Sequence, residues 1–135
     1  MKRTGRCLCG AVTLEAEVPD THQHACHCTM CRKWGGPALA TAVESVRYLS
    51  GEDNITVHVS SDWAERGFCS TCGTHLFYRI RDGSQTMMWT GAFDEPEAFD
   101  LASEIFIDQK PDGYAFSGDH PRMTREEFLK SIGLA

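Results

Sequence analysis

The 135-residue chain has no run approaching the roughly 18 consecutive apolar residues that a membrane-spanning helix needs. Nor does an apolar, export-type stretch follow the opening Met1-Lys2-Arg3-Thr4-Gly5-Arg6 before Cys7. Positive charge is scarce: 13 Lys+Arg against 19 Asp+Glu leaves a formal net charge of -6 with His neutral. Non-specific binding to nucleic acid draws on excess positive charge to displace counterions, so that class is excluded. Internal repeats, low-complexity tracts and interdomain linkers are missing as well. With 41% hydrophobic and 24% charged residues, neither a disordered nor a fibrous class fits. The length suits one domain over residues 1–135, able to bury roughly two-thirds of its unfolded surface. A soluble, cytoplasmic single domain without nucleic-acid or membrane partners is the expectation.

What the chain does have is cysteine. Its seven cysteines fall as Cys7-x-Cys9, Cys26-x-Cys28-x-x-Cys31 and Cys69-x-x-Cys72, with none isolated. An odd count argues against a disulfide framework, which also wants an oxidising compartment. Small core residues would not cluster at such spacings. Short spacings let sulfurs converge on one tetrahedral ion at about 2.3 Å, so the pattern reads as zinc binding. Two partitions satisfy it. Cys7 and Cys9 with Cys69 and Cys72 would close a four-sulfur site, leaving Cys26, Cys28 and Cys31 with one open position. Alternatively Cys28, Cys31, Cys69 and Cys72 would form a ribbon and strand Cys7, Cys9 and Cys26. The first uses every cysteine, whereas the second uses the commoner ligand spacing. In Cys69-Ser70-Thr71-Cys72-Gly73 the glycine suits the positive φ of a tight metal-binding turn.

The remaining pattern is mostly strand. Val12, Leu14, Ala16 and Val18 alternate with Thr13, Glu15 and Glu17 until Pro19-Asp20 breaks the run. Strands are also predicted at Val46–Leu49 and Ile55–Val59 around the turn 50–54, at Leu76–Ile80, at Thr86–Ala92 and at Ser103–Ile107. The C-terminus differs. Thr124-x-x-Glu127 is a capping box with Met123 and Phe128 placed as a staple, and Gly133 can end the helix. Trp34, Trp63 and Trp89 are expected in the core.

Three segments in order resemble one family: Gly5-Arg6-Cys7-Leu8-Cys9-Gly10, Cys26-His27-Cys28-Thr29-Met30-Cys31-Arg32-Lys33, and Arg66-Gly67-Phe68-Cys69-Ser70-Thr71-Cys72-Gly73-Thr74. Gly35-Gly36, Thr90–Asp94 and Phe106–Asp112 resemble its weaker later segments. The chain is similar to the glutathione-dependent formaldehyde-activating enzymes, a family that includes centromere protein V. That resemblance implies a mainly β fold, a β-tent of small antiparallel sheets around cysteine-bound zinc, here with a short C-terminal helix. It implies two zinc ions per chain. Cys7, Cys9, Cys69 and Cys72 correspond to the structural one, and Cys26, Cys28 and Cys31 to the catalytic one. It further implies a carbon–sulfur lyase of the S-hydroxymethylglutathione synthase type, with a small thiol such as glutathione and an aldehyde as partners. Two positions depart from the family pattern: an aromatic residue, often Trp, is usual near Gly113, and a His near Glu104.

Four thiolates around Zn²⁺ leave no vacancy, which suits folding; three leave a position for water or substrate. There a substrate thiol would ionise or an aldehyde would be polarised, and the three sulfur donors favour delivery of the thiolate. Arg32 and Lys33, next to Cys31, are candidates to hold a glutathione carboxylate or to offset the charge of the site. His27, between two ligand candidates, reads as a supporting or surface residue, with His24 as a fallback fourth ligand. His22, His58, His75 and His120 carry no motif. Two other classes compete. One is a non-enzymatic, zinc-stabilised protein-binding module, and the other a cysteine redox enzyme, which would need a free low-pKa thiol. The sequence is compatible with a homodimer.

Overall fold

The computed structural model describes residues 1–134. Its strands, in chain order, are β1 (Lys2–Arg6), β2 (Thr13–Glu17), β3 (His22–Cys26), β4 (Ala38–Val43), β5 (Ser45–Ser50), β6 (Ile55–Val59), β7 (Ala64–Cys69), β8 (His75–Ile80), β9 (Thr86–Trp89), β10 (Asp100–Ile105) and β11 (Arg122–Met123). Helix α1 (Thr29–Gly35) follows β3 and helix α2 (Arg125–Ser131) follows β11. The fold is mainly β. It divides into two compact units, Met1–Thr21 with Ala40–Phe99, and His22–Leu39 with the chain from Asp100 onward.

In the first unit β1, β2 and β5 form an antiparallel sheet in that order, with Lys2 opposite Glu17 and Leu14 opposite Tyr48. The alternation of β2 explains its two faces. Val12, Leu14, Ala16 and Val18 are at most 2% exposed, while Glu15 on the other face meets Arg47 at 2.9 Å. Strands β4, β9, β8, β7 and β6 follow one another in a second antiparallel array. Phe77 of β8 lies opposite Gly67 of β7 and Met88 of β9. Phe77, Met88, Leu76, Leu14, Phe93 and Phe99 join Cys7 and Cys69 in one buried cluster. Each large side chain there contributes about 1.5–3 kcal/mol on leaving water. The turn between β5 and β6 closes no hairpin, since β5 pairs with β2 and β6 with β7.

In the second unit the order is β11, β10, β3, and both pairings are parallel. Glu104 of β10 lies opposite Ala25 of β3, and Ile105 opposite Cys26. The strand expected at Ser103–Ile107 instead ends at Ile105, because Phe106 turns into the left-handed region at φ 57°. Thr86–Ala92 is likewise shorter, giving way to a tight turn at Thr90–Ala92. Helix α1 lies outside the expected elements. The capping box of α2 forms as expected: Glu127 N–H donates to Thr124 Oγ1 at 3.2 Å and Thr124 N–H to Glu127 Oε1 at 2.9 Å. Trp63, expected in the core, is 61% exposed beside the turn into β7.

Candidate functional site

The four-cysteine cluster is built from two glycine-closed turns, the second one residue longer than the first. After β1, Gly10 N–H donates to Cys7 O at 3.1 Å with Gly10 at φ 81°. After β7, Gly73 N–H donates to Cys69 O at 2.8 Å with Gly73 at φ 77°. Side chains other than glycine rarely adopt that backbone. The sulfurs of Cys7, Cys9, Cys69 and Cys72 all lie within 4.8 Å of one another. Cys7 and Cys9 sulfurs are 3.6 Å apart and Cys9 and Cys69 sulfurs 3.8 Å. A tetrahedron with metal–sulfur bonds of about 2.3 Å has an edge of about 3.8 Å, so the donors fit such an ion as they stand.

Neighbouring groups favour charged sulfur. Val12 N–H donates to Cys7 Sγ at 3.3 Å and Asn54 Nδ2 to Cys69 Sγ at 3.6 Å. Thr74 Oγ1 lies 3.1 Å from Cys72 Sγ and also accepts from Leu8 N–H at 2.9 Å, tying the two turns together. The Thr74 hydroxyl and backbone hold the Cys72 thiol down to about 5. The Ala11 backbone favours the Cys9 thiolate, but burial and the other three sulfurs push that thiol up to about 11. Four thiols cannot all ionise at one point without a cation, and a divalent metal removes that conflict.

The second cluster joins a strand end to a helix start. Cys26 ends β3, Cys28 caps α1 and Cys31 lies in its first turn, with their sulfurs within 4.8 Å of one another. Cys31 N–H donates to Cys28 Sγ at 3.3 Å. Hydrogen bonds from the Cys26 and Cys31 thiols, with the Cys31 and Met30 amides, hold Cys28 down to about 2. The Cys28 and Cys31 sulfurs, with burial, push Cys26 strongly up. Among the described residues no fourth His, Cys, Asp or Glu completes this cluster, and no cluster joins Cys28 and Cys31 to Cys69 and Cys72.

His27, between Cys26 and Cys28, is fully buried. Every polar group it owns is engaged. Its N–H donates to Ile105 O at 3.1 Å, and its carbonyl accepts from Arg32 Nε at 3.0 Å. Its Nε2 meets Glu104 Oε1 at 2.7 Å and its Nδ1 meets Tyr114 Oη at 2.9 Å. Because a carboxylate only accepts, Nε2 carries the hydrogen. With both ring nitrogens occupied, His27 is not a metal donor. His24 Nδ1 bonds to Ser103 Oγ at 2.7 Å and joins neither cluster.

Glu104 is 1% exposed. Besides His27, its Oε2 receives His120 Nε2 at 2.5 Å and Arg122 Nε at 2.8 Å. Burial disfavours the charge, but the bonds from His120 and His27 with the Arg122 charge hold the carboxyl below its ordinary value. Sequence reasoning missed Glu104, Tyr114, His120 and Arg122 as neighbours of this cluster. Reading His120 as an ordinary histidine is corrected, since its side chain is 8% exposed and locked on Glu104. An acid directly before Ile105-Phe106-Ile107 was the available signal. Of the basic pair, Arg32 is anchored on the His27 carbonyl, and Lys33 is exposed. No carboxylate pairs with Arg32 among the described residues.

Known proteins were compared with this chain. The sequence profile described as glutathione-dependent formaldehyde-activating enzyme matches residues 2–109. A Schizosaccharomyces pombe protein named an uncharacterized lyase is 34% identical over 132 residues, 95% of each chain. A Talaromyces marneffei protein named as a candidate glutathione-dependent formaldehyde-activating enzyme is 34% identical over 73 residues, which are 51% of this chain and 38% of that one. A solved Rhodobacter sphaeroides protein has the same fold at TM-score 0.57 and 22% identity, covering 88% of this chain and 98% of its own.

Proposed function

The chain belongs to the glutathione-dependent formaldehyde-activating enzyme family, and on that premise we propose that it is a zinc-dependent carbon–sulfur lyase. Its substrates would be glutathione or another small thiol and formaldehyde or a related aldehyde. In the forward direction a sulfur–carbon bond forms, the carbonyl π bond breaks, and the thiol proton ends on the carbonyl oxygen. The S-hydroxymethyl-type adduct balances without any oxidant or reductant, and the reverse step releases both reactants.

The observation that carries this reading is the three-sulfur cluster of Cys26, Cys28 and Cys31 with no fourth donor beside it among the described residues. Cys26, Cys28 and Cys31 would hold a zinc ion, which when bound would favour the ionised form of a substrate thiol. The chain's own residues do the rest. The strand end at Cys26 and the start of α1 at Cys28 and Cys31 bring the three sulfurs together. Arg32, fixed by its Nε on His27, has no carboxylate partner among the described residues. Its guanidinium suits a substrate carboxylate in a paired, planar contact, with exposed Lys33 as a looser second charge. Cys7, Cys9, Cys69 and Cys72 would hold a second zinc that serves folding.

The test is the exchange rate between free formaldehyde and its thiol adduct, followed by NMR magnetisation transfer with zinc-loaded protein. Exchange should accelerate with glutathione or a related thiol, and Cys28→Ser should return it to the buffer rate. If several thiols and aldehydes exchange no faster with the protein than without it, the lyase reading fails and a binding role replaces it.

A further inference from the structure

Two of the three sulfurs in the open cluster flank one residue, so the attitude of residue 27 sets the distance and angle between Cys26 and Cys28. The backbone there is held by His27 N–H on Ile105 O and by Arg32 Nε on the His27 carbonyl, and the His27 side chain adds a contact to Glu104, 77 positions along the chain. We infer that Glu104 is the positioning residue of the three-cysteine cluster and acts through His27. The inference rests on the reading that this cluster holds a metal.

Three features of the geometry assign the role. The contact is short and dry: 2.7 Å between side chains 0% and 1% exposed. Glu104 is itself fixed from behind, with His120 and Arg122 on its second oxygen and the Ala25 pairing of β10 beneath it. Tyr114 Oη then closes the far side of the imidazole, so the ring has one orientation. Ile105, next to Glu104, takes the His27 N–H and lies opposite Cys26. Strand β10 thus grips the ligand loop by backbone and by side chain at adjacent positions. Burial penalises the Glu104 charge, and its three donors offset that penalty and hold the carboxylate ionised. Here it orders a pair of sulfurs. Groups bonded directly to a metal ligand typically change metal affinity by about 10–100-fold when removed, and Glu104 acts one contact further out, through His27.

Cobalt(II) titration of the metal-free protein reads both clusters through their sulfur-to-cobalt absorption, and Cys28→Ser identifies which bands belong to the three-cysteine cluster. In Glu104→Gln the amide –NH₂ must face a group that was donating to the carboxylate, so the grip on His27 or on His120 and Arg122 is lost. The expected result is a fall of up to about tenfold in cobalt affinity at the three-cysteine cluster, with altered bands. The four-cysteine cluster should titrate as in the unsubstituted protein. Tyr114→Phe, at a partly buried position that leaves the Glu104 ion pairs intact, should give a smaller shift in the same cluster. It carries the test if Glu104→Gln does not fold. The inference is overturned if the folded variants bind cobalt at the three-cysteine cluster with unchanged affinity and spectrum, or if both clusters weaken equally. If the unsubstituted protein takes cobalt only at the four cysteines, the metal-site reading itself fails and takes the inference with it.

Discussion

At the scale of single residues, what each side chain does follows from what its neighbours leave it to do. Gly51 sits at φ 73°, and a Cβ built there would lie 2.0 Å from Ala11 O. Backbone on both sides must shift to admit it, so Gly51→Ala should destabilise the protein by about 2 kcal/mol or more, above the usual penalty for a left-handed alanine alone. Urea denaturation with unchanged slope would register this as a lower midpoint. The cysteines were the most legible residues in the sequence, because metal chelation by short spacings is a local property. Glu104 and His27 were not legible as a pair. Their contact depends on the parallel register of β10 against β3, which no local pattern encodes. Trp63 shows the opposite failure. An aromatic residue was assigned to the core on composition, yet at 61% exposure it stands on a turn that offers it no buried face.

At the scale of elements, the alternating run that became β2 was readable because one face is wholly buried and the other wholly polar. Helix α1 was not, since its seven residues, Thr29–Gly35, are too few to show a helical period beyond Met30, Cys31 and Trp34. It is started at its N-terminal end instead: Cys28 Sγ accepts from Cys31 N–H, and Gln109 Oε1 accepts from Thr29 N–H at 3.1 Å. Helix α2 was readable from its capping box, the Met123 and Phe128 pair and Gly133, and the box makes two predictions. Thr124→Ala removes an acceptor for an otherwise unpaired helix N–H and should cost about 1 kcal/mol. The Thr124 backbone and side chain also hold the Glu127 carboxyl below its ordinary value of 4.5. A group depressed on folding lends stability that is complete above the ordinary value and disappears as pH falls through the depressed one. The amide signals of Thr124 and Glu127 should therefore stay native through pH 4.5 and move only in stronger acid. In Glu127→Gln they should not titrate over that range.

At the scale of the whole molecule, the division into two units was invisible in composition because no linker marks it. The chain passes between them at 21–22, 39–40 and 99–100, and the second unit is assembled from segments about half the sequence apart. The cysteines are distributed accordingly, four in the first unit and three in the second. Their surroundings differ in kind. Cys7 and Cys69 are members of the first unit's hydrophobic cluster, so the four-cysteine site and the core there stand or fall together. The three-cysteine site hangs on a strand end and a helix cap, with its own contacts through His27. On the proposed reading, protein loaded with zinc at both clusters should lose its metal in two separate stages. A chelator titration, with released metal counted by a colour reagent, should first empty the three-cysteine cluster. Thiol–aldehyde exchange should be lost at that stage while far- and near-UV circular dichroism stay native. Removing the second metal should unfold the protein, since a closed thiolate site contributes on the order of 10 kcal/mol. Cys69→Ser should reproduce the second stage and Cys28→Ser the first. A single release step with simultaneous unfolding would mean that both sites are structural, and the open cluster would lose its claim to the chemistry.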